Sequence, residues 1–145
     1  LQSIYMTDIK LQVGVKIFLR NKDNKYLLIK RSPEKYKGTN GSWDIVGGRI
    51  DPGSTLIDNL RREVREETQL EITSEPILIA AQDIIPSNDK HIVRLSYVGE
   101  TVGEPHLDIS ENIEYKWLTL DEIKVQPDLD AYVSELLQKN LLVTY

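Results

Sequence analysis

The 145-residue chain reads as an α+β domain, a mixed β-sheet flanked by helices. Three observations predict this. Leu11, Val13, Val15, Ile17 and Leu19 recur at every second position, the period of a strand. Leu56, Leu60 and Val64 recur at every fourth position, widened by Ile57, which is the apolar stripe of an amphipathic helix. Further short strand patterns follow, bounded by turn residues, and a second helical pattern closes the chain.

The elements follow in order. The segment LQSIY before Met6, the single methionine, makes residues 1–7 an appended remnant or a disordered N-terminus. Residues 8–145 form one domain, and a chain of this size buries about 68–70% of its unfolded surface. The strand at 11–19 has one apolar face to bury. Residues 21–25, NKDNK, are turn chemistry, and 26–30 form a second strand, its hairpin partner. Residues 33–42 form a polar loop containing glycine. A short strand holds 43–46, and Asp51-Pro52-Gly53 breaks the chain before a helix over about 55–68. Strands are expected near 77–84, 92–99 and 114–118. Leu129, Val133, Leu136 and Leu137 predict a final helix over about 129–141. No internal repeat, low-complexity segment or interdomain linker is present.

Composition excludes several classes. The net charge of −5 argues against general nucleic-acid binding, because phosphate backbones select basic surfaces. With no cysteine there is no disulfide and no thiolate zinc site. His91 and His106 are isolated, which disfavours a histidine metal site. No apolar run reaches the roughly 18–20 residues of a membrane span, and no basic region followed by an apolar stretch marks a signal peptide. The expectation is a cytoplasmic monomer or homodimer whose partner is a small molecule.

The helix carries the chemistry. Glu63, Glu66 and Glu67 stand at i, i+3 and i+4 and are neighbours, an arrangement that destabilises a helix by about 0.2–0.5 kcal/mol per like-charge pair. With Leu56 at zero and about 100° per residue, the stripe covers about 0° to 100°. Glu67 falls near 20°, inside the stripe; Glu63 falls near −20°, at its edge; Glu66 falls near −80°. The basic residues Arg61, Arg62 and Arg65 lie on the far side. A carboxylate withdrawn from water needs a partner or a metal. A divalent cation is the simplest offset, although Glu is also a good helix former on solvated faces.

The segment from Gly48 to Leu70, GRIDPGSTLIDNLRREVREETQL, resembles a Nudix box, G-x5-E-x7-R-E-U-x-E-E-x-G-U, with U aliphatic. Gly48, Arg62, Glu63, Val64, Glu66, Glu67 and Leu70 fill their positions. Two positions depart: Ser54 stands for the first Glu and Gln69 for the second Gly. The run GSWDIVGGRID is similar to the W-x-x-P-G-G lead-in, with Val46 in place of Pro. LLIKRS at 27–32 and SENIEYKWLTLDEI at 110–123 resemble the strand before the loop and the last strand with the following helix start. The likeness covers roughly residues 8 to 125.

The resemblance implies a Nudix-type α/β/α sandwich. It implies Mg²⁺- or Mn²⁺-dependent hydrolysis of a nucleoside diphosphate linked to another group, a nucleoside triphosphate first. By it, Glu63, Glu66 and Glu67 bind metal, joined by the Gly48 carbonyl, while Arg62 orients Glu63. The alternative for Arg62 is a surface pair with Asp58 or Glu66. Arg31 and Arg49 are candidates to meet phosphates, and Gly47 and Gly48 give a tight backbone path beside the ligand. Glu111, and after it Glu114, are candidates for general base or a further ligand. Trp43 is open between stacking on the substrate and packing its loop.

Three other readings compete. ADP-ribose or a dinucleoside polyphosphate is the alternative substrate; Pro86, sixteen residues past Leu70, is reported in the family as a hint of ADP-ribose preference. A nucleotide-binding or regulatory module that has lost catalysis is favoured by Ser54, since the family's first box Glu supports the metal cluster and its arginine. An isoprenoid diphosphate isomerase shares the fold but leans on a cysteine that this chain lacks.

Overall fold

The computed structural model describes residues 8–35 and 41–142. The segment assigned above to residues 1–7, and 36–40 of the polar loop, lie outside the described residues. Seven strands make one mixed sheet: β1 (Lys10–Arg20), β2 (Tyr26–Arg31), β3 (Trp43–Asp44), β4 (Val46–Arg49), β5 (Ile77–Ser87), β6 (Lys90–Glu100) and β7 (Asn112–Leu118). Among the described residues three helices cover it: α1 (Leu56–Thr68), α2 (Leu120–Lys124) and α3 (Ala131–Gln138).

β1 is the spine. It runs parallel to β6 in unbroken register, from Lys10 opposite Lys90 to Arg20 opposite Glu100. The expected β1–β2 hairpin holds only at its base, where Arg20 faces Tyr26. Beyond that the strands part, because β4 takes the edge of β1, with Gly14 opposite Arg49 and Ile17 opposite Val46. β2 pairs instead with β3 and β7. The predicted strand at 43–46 is therefore two strands. Asp44 pairs with β2, Val46 pairs with β1, and the chain crosses from one to the other at Ile45.

The sheet is covered on both faces. Val15, Ile17 and Leu19 of β1 pack with Leu27, Ile29 and Val46 against Leu60 and Val64 of α1. Phe18, Tyr26, Leu28, Trp43 and Ile45 pack against Ile123 of α2 and Val133, Leu136 and Leu137 of α3. The expectation of a single buried face on β1 is corrected: Phe18 is as buried as its neighbours, because the chain after β7 folds back over the second face. Two full helices were expected; α2 is the helix start that the resemblance placed at the end of 110–123. It is short and held by a capping box, with Glu122 N–H donating to the Thr119 hydroxyl and Thr119 N–H donating to the Glu122 carboxylate. α3 is shorter than the 129–141 expected and starts on Asp130, which accepts from Tyr132 N–H and Val133 N–H.

The C-terminal end of α1 absorbs the Gln69 departure from the box pattern, and its start is capped by the residue after Ser54. Thr55 is its N-cap, accepting from Asp58 N–H at 3.1 Å. Gln69 closes it in the left-handed region at φ 61°, the conformation a glycine would supply. Trp43 is buried in the α3-side core with Lys116 Nζ 4.7 Å from its ring centre, so it packs its loop.

Candidate active site

Gly47 sets the geometry. Its φ is 145°, and a Cβ there would lie 2.0 Å from the Val15 carbonyl oxygen, so only glycine fits where β4 meets β1. A Cβ on Gly48 would lie 2.8 Å from Glu63 Oε2. The glycine pair thus lets the box helix bring its carboxylates against the backbone of β4. Lys16 Nζ reaches the Gly47 carbonyl at 3.4 Å and the Ile45 carbonyl at 3.3 Å from the neighbouring strand.

A cleft of about 640 Å³ opens above this turn. Gly47, Gly48, Arg49, Glu63, Glu66, Glu67 and Glu111 line it, together with Lys35 and Asp108. Glu67 lies deepest of the three box acids. Its Oε1 accepts from Gly47 N–H at 2.9 Å and its Oε2 from Asn112 Nδ2 at 3.1 Å. Burial pushes its carboxyl up to about 7 against the opposing pull of Lys16. Burial also raises the Glu63 carboxyl, with Arg62 opposing. Glu66 is exposed and pairs with Arg62 at 2.9 Å. Glu111 reaches the cleft from the loop before β7 and is ion-paired with Lys35. Glu114 is exposed on β7 and is not among the lining residues.

Arg62 holds several acids at once: Glu66, Glu63 at 3.3 Å and Asp51 at 3.1 Å. Of the two i±4 partners foreseen for it, Glu66 is the one engaged. Its Nη2 also donates to Asn59 Oδ1 at 2.9 Å, and that oxygen accepts from Asp51 N–H at 3.0 Å. Ser54 takes no part, since its hydroxyl points to the Thr55 carbonyl at 3.4 Å. Asp51 therefore presents to Arg62 the carboxylate that Ser54 lacks.

A second arm of about 860 Å³ shares Gly47, Gly48, Arg49 and Glu67 with the first. Arg31 lies there, 3.0 Å from Asp130 and 3.3 Å from Asp44. Buried Arg94 contacts Asp44 at 3.0 Å and Asp130 at 3.3 Å, and Lys16 joins Asp44 at 3.1 Å. Burial alone would raise the Asp44 carboxyl, but Arg94, Lys16 and Arg31 hold it far below the usual carboxylate range. Ile29, Ile84, Ile85, Pro86, Ile92 and Tyr132 give this arm apolar walls. Pro86 sits near the end of the edge strand β5 rather than in a loop.

The NUDIX domain family model matches residues 10–139. The chain belongs to the Nudix family. A MutT protein from Methanosarcina mazei Go1 superposes with a TM-score of 0.77 at 27% identity, over 90% of this chain and 93% of that one. The NAD-capped RNA hydrolase NudC of Vibrio vulnificus is 24% identical over 87% of this chain and 46% of its own length. The human 8-oxo-dGDP phosphatase NUDT18 is 36% identical over 46% of this chain and 19% of its own length. The chain thus spans half or less of these two curated relatives. Their names carry different substrates.

Sequence reasoning missed Lys16, Lys35, Asp44, Arg94, Asp108, Asn112 and Asp130. Lys16 and Asp44 had a signal, each being a charge flanked on both sides by apolar residues, Val15 and Ile17 or Trp43 and Ile45. Asn112 had none, because its partner Glu67 lies 45 positions away.

Proposed function

We propose that this Nudix domain is a metal-dependent hydrolase that cleaves a diphosphate bond in a nucleoside diphosphate linked to another group, with a nucleoside triphosphate as first substrate. The observation that carries the reading is the pair Glu63 and Glu67, carboxylates drawn out of water onto a glycine turn that would clash with any Cβ.

The donor set fits Mg²⁺ or Mn²⁺. It offers only oxygens, and burial raises the carboxyls of Glu63 and Glu67 against the pull of Arg62 and Lys16. Among the described residues no group of three acids is arranged to hold a metal ion by itself. Mg²⁺ takes one or two carboxylates and keeps waters and substrate phosphates as its other ligands. Its ligands would come from Glu63, Glu66 and Glu67 with the Gly48 carbonyl, one or two of the carboxylates directly and the rest through its waters, and it would supply Lewis-acid charge at a phosphoryl oxygen. Arg62 orients Glu63 and screens Glu66. Arg49, beside Gly48, meets the phosphates; Arg31 acts from the second arm. Glu111, across the cleft, accepts the proton of an attacking water, and Lys35 holds it in place.

The test is product release over a panel of nucleoside triphosphates, ADP-ribose and dinucleoside polyphosphates, with Mg²⁺ and with chelator. Metal-dependent turnover of at least one compound is expected, lost in Glu63→Gln. No turnover on any of them would leave a nucleotide-binding module, the reading that Ser54 favours and the Asp51–Arg62 contact opposes.

A further inference from the structure

Glu67 differs from the other two box acids in how it is held. Arg62 contacts both Glu63 and Glu66. Among the described residues neither Glu67 oxygen has such a partner; each accepts one hydrogen bond from a neutral donor, Gly47 N–H on Oε1 and Asn112 Nδ2 on Oε2. An arginine in either place would fix the carboxylate and also neutralise it, competing with any cation. An amide fixes it and leaves its charge in place.

Asn112 is well placed for that task. It is 2% exposed, at the first position of β7, where the register with β2 shifts between Lys30 and Arg31. Its own N–H donates to the Asp108 carbonyl at 3.0 Å, which anchors its backbone to the loop that brings Asp108 and Glu111 into the cleft. Backbone and side chain of one residue therefore tie this loop to the box helix.

We propose that Asn112 is a positioning residue for the metal site: its amide fixes the Glu67 carboxylate in the orientation that receives the cation. The inference rests on Glu67 being a metal ligand, as proposed above. Partners that orient metal ligands typically contribute about 10–100-fold to metal affinity or activity.

The experiment measures Mn²⁺ affinity by calorimetric titration of the protein alone, and urea unfolding in chelator. The proteins are wild type, Asn112→Leu, Asn112→Ala, Glu67→Gln and Asn112→Leu with Glu67→Gln. Leucine keeps the volume and removes the donor; alanine gives a second folded background if leucine is not accommodated. The expected result is Mn²⁺ affinity weakened about 10-fold or more in either Asn112 variant. In the Glu67→Gln background the leucine substitution has no further effect, because the two residues act as a unit. Wild-type Mn²⁺ affinity in both Asn112 variants, or equal losses with and without Glu67, would overturn the proposal; so would lowered stability in chelator without loss of affinity, which marks a purely structural bond. If Glu67→Gln binds Mn²⁺ as tightly as wild type, the metal-ligand reading fails and this inference falls with it. If Glu67→Gln loses the ion and Asn112→Leu does not, only the role of Asn112 is refuted.

Discussion

Glu67→Gln should stabilise the metal-free protein at alkaline pH and make little difference in acid. The folded carboxyl is raised from an ordinary 4.5 to about 7, with burial the leading cause. The folded state therefore binds the proton more tightly than the unfolded chain does. The associated stability is fully present below about 4.5, is lost as pH rises to about 7, and stays lost above. Each pKa unit is worth about 1.4 kcal/mol, so the loss at pH 8 is at most about 3 kcal/mol. It is an upper bound because the side chain keeps some contact with water. Gln resembles the protonated acid, and its carbonyl still accepts from Gly47 N–H. In chelator, urea unfolding should favour the variant by up to about 3 kcal/mol at pH 8 and by under about 1 kcal/mol at pH 5. Mg²⁺ should offset that advantage, stabilising wild type by about 2.7 kcal/mol at a hundredfold excess over its dissociation constant and reversing the order at a thousandfold excess, where the gain is about 4.1 kcal/mol. Parallel pH profiles in chelator would refute the reasoning. A variant less stable than wild type at pH 8 would show that the ionised carboxylate is a net structural asset.

Other perturbations test the supporting structure. Gly47→Ala should lose activity and destabilise the fold, since its Cβ would meet the Val15 carbonyl oxygen at 2.0 Å; turnover and urea unfolding check both. Arg94→Met should destabilise the fold in urea unfolding by less than the about 3–5 kcal/mol of a fully unpaired buried charge, because Arg31 and Lys16 still partner Asp44 and Arg31 still partners Asp130. Thr55→Ala should cost about 1 kcal/mol as a lost N-cap, while Ser54→Ala stays within about 0.5 kcal/mol. Equal losses at the two positions would place the cap wrongly.

What the sequence determined by itself was whatever is encoded within one element. The stripe of Leu56, Leu60 and Val64 specified which face of α1 is buried, and helical geometry then placed Glu67 on that face and Glu63 at its edge. The alternation in β1 marked a strand, and the Gly48-to-Leu70 pattern marked the family, since both live in local spacing. Tertiary structure alone decided what lies opposite. Trp43 to Arg49 became two strands because β1 and β2 diverge, and no local signal records how far a neighbouring strand travels. Phe18 was buried because the chain after β7 returned to cover it. Asn112 met Glu67, and Arg94 met Asp44 and Asp130, across 45, 50 and 36 positions of chain. Such pairs are selected by the cost of leaving a buried polar group unpartnered, and that cost exists only once the fold has removed the water.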